Sequence, residues 1–154
     1  MNPLRLRRGT DDDRAFVLDL GLRTVGDSLS ERRPAPLPLA QVSYERLLDF
    51  VTGQSAVTLI AESSFERLGF LLVLDSLPDE VTSLPQAFVA YMAVEPHARR
   101  QGIGRALLAA AEAVARERNL PFLALMVTED NIPARALYAQ GGFETERRLL
   151  CKRL

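Results

Sequence analysis

The sequence predicts an α/β domain in which helices pack on a sheet. Three observations carry that prediction. The chain has 154 residues, 47% of them hydrophobic and 25% charged, which suits one globular domain over residues 1–154 with a sizeable core. Its apolar pattern switches repeatedly between the period of a strand and that of a helix. A turn rich in glycine and arginine lies between a buried strand pattern and a long alanine-rich helix pattern.

The elements follow in order. Leu4 to Arg7 alternates apolar and basic residues as a short strand does, and GTDDD then supplies a cap and an acidic first turn for a helix through about Leu22. From Gly26 to Ala40, Pro34, Pro36 and Pro38 at alternate positions predict an extended loop. Loops of that length in a compact domain are commonly functional or disordered, so this one is a candidate substrate-contacting segment. SYERLLDFV predicts a helix capped at Ser43, and Ala56–Glu62 and Leu68–Leu74 read as strands joined by the polar turn SSFER. A second loop, Asp75 to Gln86, leads to the buried strand AFVAYMAV, residues 87–94. Phe122 to Val127 predicts one more strand, and a last helix starts at Asn131 and ends at Gly141. Cys151 is expected as a small core residue of a terminal strand.

Charge and cysteine content narrow the function classes. Nineteen basic and twenty acidic side chains give a formal net charge of -1, against a surface dominated by nucleic-acid or anionic-membrane binding. One cysteine forms no internal disulfide, no Cys/His cluster has zinc spacing, and neither a signal-peptide core nor a membrane-length apolar run is present. The expectation is a cytoplasmic protein without a bound metal.

The stretch Val94 to Arg118 carries the chemistry. Leu107, Ala110, Ala111 and Val114 recur at helical spacing, with Arg105, Glu112 and Arg116 on the opposite face. The first turn of that helix has unpaired N–H groups and partial positive charge, so an anion is favoured there. Gly102 and Gly104 permit close approach to the backbone, and Arg99, Arg100 and Arg105 add full charge; a phosphate or pyrophosphate fits. No Lys-Ser/Thr follows the glycines, as in a Walker A loop, and the spacing is not that of a dinucleotide fingerprint.

Residues 99–104, RRQGIG, instead resemble the R/Q-x-x-G-x-G/A acyl-CoA motif of the GNAT superfamily of N-acyltransferases. A second block, VTEDNIPARALYAQGGF at 127–143, is similar to that family's N-x-x-A-x-x-L-Y-x-x-x-G-F signature. The resemblance covers about residues 86 to 150. It implies a mixed, mostly antiparallel sheet of six to seven strands with helices on both faces, splayed between the strands at Phe88–Val94 and Phe122–Val127. In that cleft pantetheine would pair with backbone at Met92 and Val94, while amides from Gln101 through Ile103 and Gly104 to Ala106 hold the pyrophosphate. Asn131 lies seven residues before Tyr138, two helical turns, so both can share the side that faces the cofactor.

The implied activity is acetyl transfer from acetyl-CoA to a primary amine, more consistent with a small molecule than a protein. A free amine attacks the thioester directly within a ternary complex, backbone N–H near Val94 stabilises the tetrahedral intermediate, and Tyr138 protonates the departing thiolate. Arg32 and Arg33, with Tyr91, are candidate acceptor contacts, the arginines suiting an acidic amine. A homodimer is an open expectation. The sequence departs from histone-type and protein N-terminal relatives, which carry a glutamate base where this chain has Phe88 and Met126. Tyr91, Glu62 and Glu129 remain as candidate bases acting through water. Alternatives are a non-catalytic acyl-CoA sensor, a protein N-terminal or lysine acetyltransferase, or a nucleotide-binding domain on a mainly parallel sheet.

Overall fold

The computed structural model describes residues 2–154. Strand β1 (Arg5–Arg8) leads into helix α1 (Arg14–Thr24), then helix α2 (Leu37–Thr52) and the meander β2 (Ala56–Glu62), β3 (Arg67–Leu74), β4 (Ala87–Val94). Helix α3 (Ile103–Glu117), strand β5 (Leu123–Leu125) and helix α4 (Ile132–Gln140) complete the order. The five strands lie in sequence order in one sheet; the first three pairings are antiparallel and β4 pairs with β5 in parallel. A mostly antiparallel sheet does not fit the nucleotide-binding alternative, which needs parallel strands throughout.

Helices cover both faces because the strands are apolar on both. Val57, Leu59, Leu71, Val73 and Val89 pack against Ile103, Leu107, Ala111 and Val114 of α3. Ile60, Phe70, Leu72 and Ala93 pack on the other side against Val17 and Leu20 of α1 and Tyr44 of α2. The apolar stripe expected on residues 103–117 is thus the face that meets the sheet, with Leu107 and Ala111 fully buried.

Four expectations need correction. The loop is confined to residues 29–36, with a turn at Glu31 and Arg32, since Val25–Ser28 form a 3-10 turn and α2 begins at Leu37 rather than after Ser43. Pro38 sits in the first helical turn, where no intrahelical N–H donor is needed, so the last proline starts the helix instead of forbidding it. The sheet has five strands among the described residues rather than six or seven. Residues 144–154 form no strand, and Cys151 is exposed rather than a core residue. A three-residue β5 offers too short an edge to template a further strand, and Arg147 is held instead by Asp79 through bonds of 2.6 and 3.0 Å.

The start of α1 is clamped by Asp13, whose side chain is 1% exposed. Both Arg7 terminal nitrogens donate to it at 2.8 Å, Arg67 Nε at 2.7 Å and the Thr10 amide at 2.8 Å. The Arg7 bonds, aided by Thr10 and Arg67 against the opposing cost of burial, hold the carboxyl well below the usual carboxylate range. A depressed folded-state pKa stabilises the fold above the unfolded value, about 3.9, and that contribution is lost as pH falls toward the folded one. Urea midpoints at acid and neutral pH should therefore differ less in Asp13→Asn than in the unsubstituted chain.

Candidate active site

Strand β4 creates the cleft. Its pairing with β5 runs only from Ala87↔Leu123 to Val89↔Leu125, so Ala90 to Val94 continue beside β3 with no strand among the described residues on their other edge. The register against β3 also jumps, from Val73↔Val89 to Leu72↔Tyr91, which leaves Ala90 as an extra residue, a β-bulge. Alternation is broken there: Val89 belongs to the α3 side, whereas Ala90 and Tyr91 both pack on the α1–α2 side. The bulge thereby turns Tyr91 away from α3 and adds local twist where the sheet opens.

At one end of this opening lies the start of α3. Gly102 is in the left-handed region at φ 83°, and nothing lies within 4 Å of where its Cβ would stand, so glycine is required by conformation. Gly104 sits in a close fit: a Cβ would come 3.0 Å from Leu137 Cδ2, a flexible side-chain end that would have to yield, and 3.8 Å from Met92 Cε, between β4 and α4. Gln101 is exposed and donates through Nε2 to the His97 carbonyl at 3.4 Å, while Ile103 is buried and Ala106 half-buried. Arg105 reaches Gln140 on α4 at 3.2 Å. Arg100 is exposed and also left-handed, at φ 62° without being glycine. Arg99 points the other way, donating from Nε to the Val94 carbonyl at 3.3 Å and from Nη2 to Asp27 at 3.2 Å.

Helix α4 forms the second wall. Asn131 caps it, accepting the Ala134 amide at 3.3 Å, and Pro133 occupies the first turn. Leu137 and Tyr138 face the α3-side core, and the Tyr138 ring meets Phe143 edge-on at 5.9 Å. Burial pushes the Tyr138 hydroxyl pKa up, and a nearby charge on Tyr91 would push it further. Tyr91, opposite, stacks on Phe70 at 5.9 Å, leans on Tyr44 at 4.8 Å and shares a hydrogen bond of 2.9 Å with Thr24 Oγ1. Its pKa is also raised by burial, in part offset by the Thr24 bond. Burial thus keeps both phenols protonated at neutral pH.

A strap crosses the mouth. Thr128 Oγ1 donates to the Ser28 carbonyl at 2.6 Å, and Asp130 accepts the Glu31 amide at 2.9 Å and Arg32 at 3.3 Å. The segment between α1 and α2 is thereby fastened to the β5–α4 loop, bringing Arg32 to the opening with its charge already matched. Arg33 is directed to Cys151 instead, which raises its pKa. Glu62 lies in β2, two strands from β4, bonded to Arg7 at 3.0 Å, and Glu129 pairs with Arg135 at 3.5 Å. His97 is exposed beside Glu66 at 3.2 Å. Sequence reasoning missed Asp27, which stands between Arg99 and Tyr91; its only signal was membership of the proline-rich loop region.

An open, mixed sheet with an anion-ready helix start at the parting of two parallel strands defines the class: an α/β domain whose opening lies beside a helix start suited to an anion. The pattern of the acetyltransferase (GNAT) family matches residues 25–143, and the chain belongs to that family. The uncharacterised N-acetyltransferase YhfO of Bacillus subtilis is 34% identical over 92 residues, which are 59% of this chain and 60% of YhfO. The chain thus aligns with less than two thirds of that relative's length. A Pyrococcus furiosus protein described as a candidate acetyl transferase shares the fold with a TM-score of 0.84 at 23% identity, over 99% of this chain and 100% of that one. An aminoglycoside N-acetyltransferase in complex with CoA does so with a TM-score of 0.72 at 17% identity, covering 100% of this chain and 96% of that one.

Proposed function

We propose that this chain is an acetyl-CoA-dependent N-acetyltransferase that transfers the acetyl group directly to a primary amine of a small molecule. The observation that carries the reading is the parting of β4 from β5 beyond Val89, directly beside the glycine-lined start of α3 and with Tyr138 across the gap. Main-chain groups of Met92 and Val94, free of a strand on that edge, suit a pantetheine amide chain. Amides from Gln101 to Ala106, with Arg100 and Arg105, suit the pyrophosphate, and Asn131 and Leu137 line the far wall. Family membership and the CoA complex of the structural relative support the same ligand.

The chemistry follows from the groups present. A neutral amine attacks the thioester carbonyl, its oxygen takes up negative charge that β4 backbone N–H groups near Val94 stabilise, and the intermediate collapses by expelling the thiolate. Tyr138, kept protonated by its burial, gives that thiolate a proton. No protein nucleophile is needed, and exposed Cys151, beside Arg33, is given no part in transfer. Release of CoA thiol across a panel of amines tests the function: amine-stimulated release is expected, and acetyl-CoA binding with no stimulation by any amine would leave the sensor alternative standing.

Arg100 offers a test with opposite signs. A non-glycine residue at φ 62° carries backbone strain of about 1 kcal/mol, and such strain persists where the side chain is used. Arg100→Gly should raise stability by up to about 1 kcal/mol and weaken CoA binding about 10-fold through loss of a charge-assisted bond. Thermal unfolding and calorimetry on one preparation read both; a stabilised variant with unchanged affinity would take Arg100 out of the cofactor site.

A further inference from the structure

Four carboxylates around the mouth of the cleft are each matched to a cation. Asp130 pairs with Arg32 at 3.3 Å, Glu129 with Arg135 at 3.5 Å, Glu95 with Arg23 at 2.7 Å and Asp27 with Arg99 at 3.2 Å. Arg32, Arg135 and Arg23 stand on the strap, α4 and α1. Only Arg99 belongs to the turn that leads into α3, three residues before Gly102. A pyrophosphate at that helix start therefore competes with Asp27 for Arg99 and leaves the other three pairs untouched.

The competition has a clear winner. The Asp27 and Arg99 side chains are 59% and 45% exposed, and an exposed pair of this kind is weak. A diphosphate carries more charge, sits on the partial positive charge of α3 and offers bidentate oxygens to the guanidinium. When Arg99 gives up Asp27 and the Val94 carbonyl for it, Asp27, whose charge acts on Tyr91, is left without its cation.

We propose that Asp27 is the acceptor-recognition residue of this chain, binding a second, non-reacting ammonium of a diamine or polyamine, and that Arg99 covers it until the cofactor is bound. This rests on the acetyltransferase reading above. The ammonium held by Asp27 is not the one acetylated, because a carboxylate partner favours the protonated amine and opposes attack. The acceptor class accordingly differs from the acidic amine suggested by Arg32 and Arg33, of which Arg32 is already neutralised by Asp130. Binding is ordered, cofactor before acceptor.

The test compares butylamine with 1,4-diaminobutane as acceptors, and CoA binding by calorimetry, in wild type, Asp27→Asn and Arg99→Gln. In Asp27→Asn, KM for the diamine should rise about 10-fold or more while KM for the monoamine stays put, and CoA should bind a few-fold more tightly because Arg99 is released. Wild type should bind the diamine only with CoA present, whereas Arg99→Gln should bind it without CoA. Equal changes in the two KM values, or unchanged CoA affinity in Asp27→Asn, overturn the proposal. Should no amine stimulate CoA release in wild type, the transferase reading fails by itself, and the CoA affinity of Asp27→Asn still decides whether Asp27 and the cofactor compete for Arg99.

Discussion

Replacing Tyr138 with phenylalanine is expected to lower turnover about 100-fold and to leave the affinity for CoA unchanged. The ring is half-buried in α4 against Phe143, and phenylalanine keeps that packing, so the fold and the cleft wall survive the change. Only the hydroxyl group is lost. General acid catalysis acts on the departing thiolate in the transition state, so kcat and kcat/KM should fall together while binding is spared. The direction of the Tyr138 pKa adds a pH test. Raised above its ordinary value of about 10, the phenol remains the acid form across neutral and mildly alkaline pH. Turnover of the wild type should then show no decline from loss of this proton up to about pH 9. Wild-type turnover in Tyr138→Phe would return Tyr138 to the role of a wall residue.

The second large effect is expected at Gly104. A Cβ there already stands 3.0 Å from Leu137 Cδ2, so any side chain must displace the flexible end of Leu137 or push α4 from α3. Glutamate adds a negative charge at the N-terminal turn of α3, where a helix favours the anion of the ligand rather than one of its own. Gly104→Glu should weaken CoA binding at least about 100-fold, equivalent to roughly 3 kcal/mol at that contact. Gly104→Ala, without the charge and with only the Leu137 contact to relieve, should lose far less. Calorimetry on folded protein, checked by circular dichroism, reads the difference. Equal losses in the two variants would show that crowding of Leu137, not repulsion of an anion, is what Gly104 avoids.

Much of this site was legible because it is built from local sequence. Gly102, Gly104 and the arginines stand in one continuous turn, and the requirements of that turn, a left-handed φ and a bare backbone at a helix start, restrict residue choice at those positions. Asn131 reads as a cap for the same reason: capping is a contact between near neighbours in the chain. The proline-rich region misled because Pro38 is compatible with both a loop and a first helical turn, and the difference lies in the packing of Tyr44 and Val51 further along α2. The expected terminal strand depended on a partner edge, which residue pattern alone cannot supply.

The sequence by itself determined the order of elements as far as α4 and the anion-ready start of α3, since these arise from periodicity, capping and turn chemistry over a few residues, and its two motifs carried the resemblance to the family and to a sheet covered on both faces. The tertiary structure alone decided which side chains meet. The bulge at Ala90 shifts the alternation of β4 and sets Tyr91 on the α1–α2 side, through a register shift against β3 that no residue in β4 announces. The Arg99–Asp27 pair spans 72 positions, and Thr128 reaches Ser28 across 100, distances in sequence over which no local preference acts. Such contacts exist because packing the helices on both faces of one sheet brings the chain ends of β4, α1 and β5 to the same opening, and the long polar side chains there take the partners that arrive.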